Sequence, residues 1–332
     1  MRLIQILLAS AVALAAIPAH SQGQSNALAE TAEQADGGLW VTLGTRGGPV
    51  ASPTRSQPAN LLVVAGKNYL VDAGDGSAGQ LAKKGLQTVA LEGVFISHLH
   101  FDHTGGLPAI LGLRFQTNPK NKLKVFGPPG TKELVDGLVM SMIPGATANY
   151  GVEGAPAANP RDQVEVVELR DGGTVTLDGM EVSVRKISHY SFKPGGDMAR
   201  RFESLSYRFD LPGRSIVYTG DTGPSKAVEE LAKDADLLVA EMMDVEMMVG
   251  LVRLANPGMP EKAVMGVETH LRKHHLLPKD VGEMAARAGV KAVVVTHFAG
   301  IEPNDPHHMS YLKSVSEYYQ GPVIVANDMD EY

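Results

Sequence analysis

Four side chains that can bind metals lie within six residues of the chain: His98, His100, Asp102 and His103. They follow an apolar stretch over residues 93–97 that is typical of a buried β-strand. Because side chains two residues apart in extended backbone point the same way, His98 and His100 can face one point. A turn then brings Asp102 and His103 toward a neighbouring point. Imidazole and carboxylate ligands without thiolate suit Zn, Fe or Mn, so the segment predicts a metal site.

The composition removes several other kinds of site. The 332 residues include no cysteine, which excludes disulfide scaffolds, cysteine-ligated zinc fingers, iron–sulfur clusters and thiol nucleophiles. Apolar residues make up 44% and charged residues 20%, as in folded globular proteins. The 37 acidic residues outnumber the 30 basic ones, so the net charge is −7 and the chain lacks the basic field of a nucleic-acid-binding protein.

The first residues are typical of a secretory signal peptide. Arg2 precedes an almost unbroken apolar run over residues 3–17, and small residues flank the expected cleavage site. The run is too short for a stable membrane span, so we expect a periplasmic or secreted protein without stable membrane insertion after cleavage; an uncleaved anchor is the alternative. The chain is predicted to have three parts: a signal peptide (1–21), a flexible leader (22–38) and a single folded domain (39–332).

Short apolar stretches alternate with helical ones along the rest of the chain. The predicted strands form two β-rich halves, and predicted helices lie between them. Residues 144–160 are rich in Gly, Ala, Pro and Asn and are predicted to form a long surface loop. This arrangement favours a layered α/β sandwich.

The pattern His-x-His-x-Asp-His after a strand resembles the signature of the metallo-β-lactamase superfamily. That resemblance implies a four-layer αββα sandwich with a metal site at one edge of its two sheets. It also implies three later ligands, a His, a bridging Asp and a final His, and each has a match here. His189 follows one predicted strand, Asp221 lies in Thr-Gly-Asp-Thr after another, and His297 ends a third.

The resemblance assigns these residues to two divalent ions that lie side by side. Asp221 bridges the ions, and an attacking hydroxide lies between them. Two bound ions lower the pKa of water to roughly 7 and hold the attacking and leaving oxygens together. Asp102 has a catalytic role as well, because it orients the hydroxide; the ions are expected to be Zn, with Fe or Mn as alternatives. One ion takes His98, His100 and His189, and the other takes Asp102, His103 and His297.

Within the superfamily, the chain most resembles the branch of ribonuclease Z, phosphodiesterases and arylsulfatase-like enzymes. The Gly-rich turn over residues 43–49 and the helix–strand unit over residues 231–241 are similar to segments of that branch. The branch also has a catalytic His at the position of His275, where it donates a proton or binds an oxyanion. His274 and His270 are the alternatives for this role.

The chain also departs from ribonuclease Z. Members of that group carry a long tRNA-clamping arm between the third ligand and the bridging Asp, whereas only 32 positions separate His189 from Asp221 here. The usual Gly-His-Ser-Thr around the late His is replaced by Lys-His-His-Leu at residues 273–276. Because a basic surplus is absent too, we expect a small-molecule ester substrate and no nucleic-acid partner.

Two segments are candidates for substrate contacts. The loop over residues 190–201 follows the third ligand and could place Lys193, Arg200 or Arg201 against an anionic ester; a solvated loop is the alternative. The methionine-rich residues 242–259 are the other segment, since flexible methionines adapt to varied apolar shapes. Three roles stay open for this segment: it lines the substrate site, it belongs to the core, or it forms a subunit contact.

We therefore predict a secreted binuclear metallohydrolase that cleaves small esters, first of all phosphodiesters or aryl and alkyl sulfates. A lactonase or other carboxylic-ester hydrolase on the same metal site is the alternative enzyme. A non-catalytic periplasmic binding protein on a retained fold is a third hypothesis, which the complete ligand set disfavours. The sequence leaves the oligomeric state open, with a homodimer as one alternative.

Overall fold

A computed structural model describes residues 37–149, 151, 158–298 and 308–332. The predicted signal peptide and residues 22–36 of the predicted leader lie outside the described residues. Gly38, the last residue assigned to the leader, begins the first strand, because its backbone pairs with that of Val64. The first strand therefore starts one residue before the predicted start of the folded domain at Leu39.

Seven of the described strands form a first mixed sheet: β1 (Gly38–Gly44), β2 (Ala59–Val64), β3 (Lys67–Ala73), β4 (Leu91–Phe95), β5 (Leu123–Gly127), β6 (Val164–Glu168) and β14 (Asp330–Glu331). Their order across the sheet is β14-β1-β2-β3-β4-β5-β6. Strands β1 to β3 pair antiparallel, and β3 to β6 pair parallel. The short β14 covers the edge of β1 and so ties the C-terminus to the start of the fold.

Seven further strands form a second sheet: β7 (Thr174–Leu177), β8 (Met180–Lys186), β9 (Leu205–Asp210), β10 (Ser215–Tyr218), β11 (Leu237–Glu241), β12 (Val293–Thr296) and β13 (Val323–Val325). Their order is β13-β12-β11-β10-β9-β8-β7. Strands β7 to β10 pair antiparallel, whereas β10 to β13 pair parallel. The carboxyl ends of β10, β11 and β12 therefore lie at the same edge.

Ten described helices connect the strands: α1 (Ser77–Lys83), α2 (Phe101–Thr104), α3 (Leu107–Gln116), α4 (Thr131–Ala148), α5 (Asp197–Arg201), α6 (Lys226–Leu231), α7 (Val245–Ala255), α8 (Glu261–His274), α9 (Pro278–Ala288) and α10 (His308–Ser316). Helices α1, α3 and α4 pack on the outer face of the first sheet, and α6, α9 and α10 pack on that of the second. Among the described helices, none is both long and apolar enough to span a membrane.

Three apolar layers separate the four structural layers. One lies between the first sheet and its helices, and a second lies between the other sheet and its helices. The third fills the space between the sheets and is rich in aromatic rings, such as Trp40, Phe95 and Phe209. Phe95 stacks on Phe126 of the same sheet at 4.7 Å and meets Phe209 of the opposite sheet edge-on at 5.3 Å. These layers confirm the predicted αββα sandwich.

The predicted loop over residues 144–160 is partly wrong. Helix α4 continues through Pro144 to Ala148, where the amide of Asn149 donates to the carbonyl of Gly145. A proline inside a helix removes one backbone hydrogen bond, and the alanines that follow favour continuation of the helix. Residues 152–157 of this predicted loop lie outside the described residues.

The fold brings the candidate ligands to one edge of the sandwich. His98 follows β4 of the first sheet, whereas His189, Asp221 and His297 follow β8, β10 and β12 of the second. Each strand ends one to three residues before the side chain, so the sheets fix the backbone close to each of them. A site built from strand ends is held more firmly than one carried by long loops.

Asp236 joins the start of β10 to the start of β11 and offers a test of fold stability. Its carboxylate accepts hydrogen bonds from the Ser215 amide and hydroxyl at 2.7 and 2.9 Å, and it pairs with Lys291 at 2.6 Å. Partial burial raises the pKa of Asp236, but Lys291 and Ser215 outweigh burial and lower this pKa below 3.8. The stabilising charge is therefore present at neutral pH and is lost as the pH falls through the lowered pKa.

We expect Asp236→Asn to lower the free energy of unfolding by about 1–2 kcal/mol at pH 7, and the difference from wild type to shrink below about pH 4. Urea unfolding at the two pH values measures both quantities. Glu317→Gln is the control, because Glu317 is exposed and its side chain has no partner among the described residues. A deficit that is equally large at both pH values would show that the charge of Asp236 is not the cause.

Candidate metal centre

Three imidazole nitrogens form a first ligand group. The Nδ1 atom of His100 lies 3.1 Å from His98 Nε2 and 2.9 Å from His189 Nε2. Burial holds the pKa of His98 and of His189 well below the usual value, so both rings are neutral near pH 7. Neutral imidazole is the form that binds a metal. His98 and His189 are buried and His100 is exposed, so this group opens to solvent on the His100 side.

A second ligand group lies beside the first. His103 Nε2 and His297 Nε2 are 3.2 Å apart, and each lies 3.6 Å from Asp102 Oδ2. Burial lowers the pKa of His297, but Asp221 and Asp102 outweigh it and raise this pKa to about 10. A cation bound by this group would therefore displace a proton.

Asp221 belongs to both groups. Its Oδ1 lies 3.3 Å from His103 Nε2, and its Oδ2 lies 3.1 Å from His297 Nε2 and 3.9 and 4.0 Å from the Nε2 atoms of His98 and His189. Burial raises the pKa of Asp221, but His297 and His103 outweigh burial and hold this pKa well below its usual value. The carboxylate is therefore ionised in the position of a bridge between the groups.

Asp72, which sequence analysis missed, orients the second group. One of its carboxylate oxygens, Oδ2, accepts from His103 Nδ1 at 2.7 Å and from the hydroxyls of Ser97 and Tyr218 at 2.8 and 2.7 Å; Oδ1 accepts from the Ser97 amide at 2.7 Å. With the Nδ1 proton held by Asp72, Nε2 is the His103 atom that can bind a metal ion. The only sequence signal for this role is an acid at the end of an apolar strand.

The donor set fits divalent metal ions. Seven side chains supply nitrogen and carboxylate oxygen, and the atoms within each group lie within 4.8 Å of one another. Nitrogens about 2.0–2.1 Å from a tetrahedral ion are roughly 3.3 Å apart, which is close to the spacings above. Asp221 Oδ1 is buried without a hydrogen-bond partner among the described residues, as expected for an oxygen that coordinates a cation.

His275 lies next to both ligand groups and is held by Glu241. Its Nδ1 lies 2.8 Å from Glu241 Oε2, and its ring lies 5.0 Å from that of His189 and 6.1 Å from that of His297. Burial lowers the pKa of His275, but Glu241 outweighs it and raises this pKa above the usual value. The arrangement therefore favours a protonated His275. Sequence analysis missed Glu241, another acid at the end of an apolar strand.

The two alternatives to His275 have other contacts. His274 Nδ1 lies 3.2 Å from the Ser188 hydroxyl, and the His274 carbonyl lies 3.2 Å from His189 Nδ1. His270 Nδ1 lies 3.0 Å from the hydroxyl of Ser191. Both imidazoles lie on the wall of a neighbouring cavity rather than against the second ligand group.

The Gly-rich turn predicted from the sequence closes over the second group. The amide of Gly48 donates to Asp102 Oδ2 at 3.1 Å, and Gly47 donates to the carbonyl of Phe298. A Cβ at Gly47 would lie 2.5 Å from His297 Nδ1 and 2.3 Å from the His297 carbonyl oxygen. Only glycine therefore allows the turn to pass this close to the ligand.

We expect Gly47→Ala to displace His297 and to weaken metal binding at the second group by about 10–100-fold, the loss typical when the support of a ligand is disturbed. Metal titration of the purified variant measures this change. Gly79→Ala is the matched control, because an added Cβ there meets no atom within 4 Å. Unchanged affinity at both ions in Gly47→Ala would contradict the assignment of His297.

A cavity of about 800 Å³ adjoins the first ligand group. Its walls are the segment over residues 186–204 and one face of α8. Arg200 is among the lining residues, whereas Arg201 pairs with Glu133 outside the cavity. The methionine-rich segment is not part of these walls: Met242 and Met243 are buried in the core, and α7 packs against α8.

The family profile described as "Beta-lactamase superfamily domain" matches residues 67–298, a span that includes all seven candidate ligands. The chain therefore belongs to the beta-lactamase superfamily. Together with the His and Asp clusters, this membership makes it a metal-dependent hydrolase.

Known proteins similar to this chain include ribonuclease Z from Mycobacterium marinum, which is 29% identical over 261 residues, or 78% of this chain and 85% of that protein. The short form of human tRNase Z superposes with a TM-score of 0.58 at 22% identity and covers 89% of this chain and 98% of that one. A diphosphatase of the PhnP family gives a TM-score of 0.60 at 16% identity and covers 89% and 97%. These two structures show the shared fold. Ribonuclease Z is by its name an enzyme that acts on RNA, so this relative does not support the absence of a nucleic-acid partner, which stays a prediction.

Proposed function

We propose that this protein is an exported binuclear metallohydrolase that cleaves small ester substrates, with phosphodiesters first and aryl or alkyl sulfates second. The observation that carries the proposal is Asp221, one ionised carboxylate placed between two groups of metal ligands. Two ions bound there would lower the pKa of water to roughly 7 and polarise the ester. The cavity beside the first group has room for a small substrate.

The chain's own residues supply orientation and a proton. Asp102 Oδ2, fixed by the Gly48 amide, is placed to accept a hydrogen bond from the attacking water. His275 is placed next to both ligand groups, and its Nε2, which has no hydrogen-bond partner among the described residues, can donate a proton to the leaving oxygen. Glu241 holds the Nδ1 side of this ring and favours the protonated form. Asp72 keeps His103 in the correct tautomer.

Charge at the cavity supports an anionic substrate although the whole chain is acidic. Three basic residues line it, Lys186, Arg200 and Lys273, against one acidic residue, Glu203. Lys186 lies 3.8 Å from Glu203, and Arg200 pairs with Asp197, but Lys273 is exposed and has no ion-pair partner among the described residues. A local excess of positive charge attracts phosphate or sulfate esters.

Two observations favour a small ester over RNA. The segment between His189 and Asp221 forms α5, β9 and β10. Too few residues remain in this segment to form a clamping arm. The net charge of −7 also opposes attraction of a polyanion. The likeness to ribonuclease Z nevertheless makes a tRNA precursor the necessary comparison substrate.

The test is turnover by protein that has been stripped with a chelator and reloaded with zinc. We expect metal-restored hydrolysis of bis(p-nitrophenyl) phosphate, with p-nitrophenyl sulfate, a lactone panel and a tRNA precursor as the other arms. Turnover of lactones alone would replace the proposal by its carboxylic-ester alternative, and cleavage of the tRNA precursor alone would replace it by RNA processing. If the fully metallated protein hydrolyses none of these substrates, the proposed activity is wrong.

Export is proposed on the pattern of residues 1–21, which have a basic start, an apolar run and small residues at the expected cleavage site. Expression of the full chain in a bacterial host, followed by fractionation and N-terminal sequencing, tests it. We expect mature protein that begins at Gln22 in the periplasm or medium. Full-length protein confined to the cytoplasm would contradict export.

A further inference from the structure

Aromatic side chains lead from the first ligand group into the cavity. The ring of Tyr190 lies 5.3 Å from that of His100, Phe192 lies 5.0 Å from Tyr190, and Phe202 lies 6.4 Å from Phe192. Tyr190, Phe192 and Phe202 all line the cavity and are half-buried. The wall nearest the metal ligands is therefore a continuous aromatic surface that begins at a ligand.

Two of the three aromatic residues, Tyr190 and Phe202, also make contacts that support the surrounding structure. The Tyr190 hydroxyl accepts from the amide of Leu99, between two ligands. Phe202 packs so closely on Gly130 that an added Cβ would lie 2.9 Å from its ring, and Arg201 lies over its face at 4.9 Å. The contacts of the Phe192 side chain within the described part of the chain are ring contacts to Tyr190 and Phe202. Of the three aromatic side chains, Phe192 therefore contributes least to the stability of the fold.

The wall formed by α8 is polar. Thr269, His270 and Lys273 of α8 face the cavity, and Lys273 is the exposed cation without an ion-pair partner among the described residues. A cavity lined by aromatic rings and by hydroxyl, imidazole and ammonium groups suits a planar ring that stacks on one side and is polar at its edge.

We propose that this cavity binds an aromatic group of the ester substrate, with Phe192 as the residue that determines the preference for aromatic over small alkyl esters. The inference rests on the proposed ester hydrolysis at the adjoining metal centre. The phosphoryl or sulfuryl group would lie at the ligands, and the ring would lie along Tyr190 and Phe192.

The test measures binding, so it does not depend on turnover. Benzylphosphonate and methylphosphonate are titrated calorimetrically into the zinc-loaded full-length protein, since both carry the same anionic head and only one carries a ring. We expect wild type to bind benzylphosphonate more tightly. Phe192→Ala should weaken the binding of benzylphosphonate by about tenfold, which is the scale of a lost aromatic contact. The same variant should bind methylphosphonate with unchanged affinity. Phe192→Tyr should retain the preference.

Met198→Ala is the matched control, because Met198 lies in the same segment, is 47% exposed and does not line the cavity. It should bind both phosphonates as wild type does. Equal affinity of wild type for the two phosphonates overturns the inference, as does an unchanged preference in Phe192→Ala. Equal weakening of both probes by Phe192→Ala also overturns it, because that result means the loop supports the ligands and does not select the ring. Failure of ester turnover alone would instead count against the proposed function.

Discussion

Replacement of Asp221 by Asn is expected to remove one of two bound metal ions and to lower ester hydrolysis by about a thousandfold, a larger loss than the roughly 10–100-fold typical of a residue that only orients a ligand. The reason is that, among the carboxylates of the described residues, Asp221 is the one that lies within 4.0 Å of histidines of both groups. An amide has nearly the same shape but carries no charge to offset two cations. Elemental analysis and kcat/KM for bis(p-nitrophenyl) phosphate measure the two effects.

Asp210→Asn is the control for this substitution. Asp210 ends β9 of the same sheet and pairs with Arg208 away from the ligands. It should retain two ions and full activity, and circular dichroism should show that both variants are folded. An Asp221→Asn protein with two tightly bound ions and wild-type activity would show that this carboxylate does not bridge the centre.

The second large effect concerns the leaving group. We expect His275→Gln to lower kcat/KM by about 10²–10⁴-fold for alkyl phosphodiesters, whose alkoxide needs a proton as it leaves. The same variant should lose much less activity toward p-nitrophenyl esters, because the nitrophenolate leaves without one. The metal content should stay at two ions, because His275 is not one of the seven predicted ligands and its ring contacts Glu241.

The neighbouring imidazoles provide the controls. His270→Gln and His274→Gln change residues bonded to Ser191 and Ser188, so both should keep the wild-type dependence on the leaving group. Glu241→Gln should show the same selective loss as His275→Gln but to a smaller degree, because it leaves the proton donor present and removes only its support. If His275→Gln lowers activity equally for both ester types, a role as proton donor is wrong.

The sequence was sufficient to predict the class of fold and the seven candidate ligands that the fold brings together. His189, Asp221 and His297 each follow a short apolar strand, and strands of a sandwich end at shared edges, so candidate ligands far apart in sequence meet. The cluster from His98 to His103 marks the place where they meet. The αββα architecture was predictable for the same reason, because alternating short strands and helices admit few layered arrangements.

The orienting carboxylates were not predictable. Asp72 and Glu241 each close an apolar strand, a position that many acids occupy for reasons of solubility, and only the packing of two sheets places them against His103 and His275. The aromatic wall was missed for a related reason. Sequence composition drew attention to the methionines of residues 242–259, whereas the cavity lies on the other face of α8 and is lined by Tyr190 and Phe192.

The boundaries of helices were the other failure. Pro144 and the glycine and alanine residues around it are typical of a loop, yet α4 continues to Ala148. Local propensity is a weak guide here, because a helix that has already formed more than three turns can tolerate one missing hydrogen bond near its end. Such errors shift the surface but leave the strand ends, and therefore the candidate ligands, in place.

The most direct test of the metal centre is a crystal structure of the zinc-loaded protein with data collected on both sides of the zinc absorption edge. We predict two anomalous peaks, one among His98, His100 and His189 and the other among Asp102, His103 and His297, with Asp221 within bonding distance of both. A single peak, or zinc bound only elsewhere while these side chains contact one another directly, would contradict a binuclear centre.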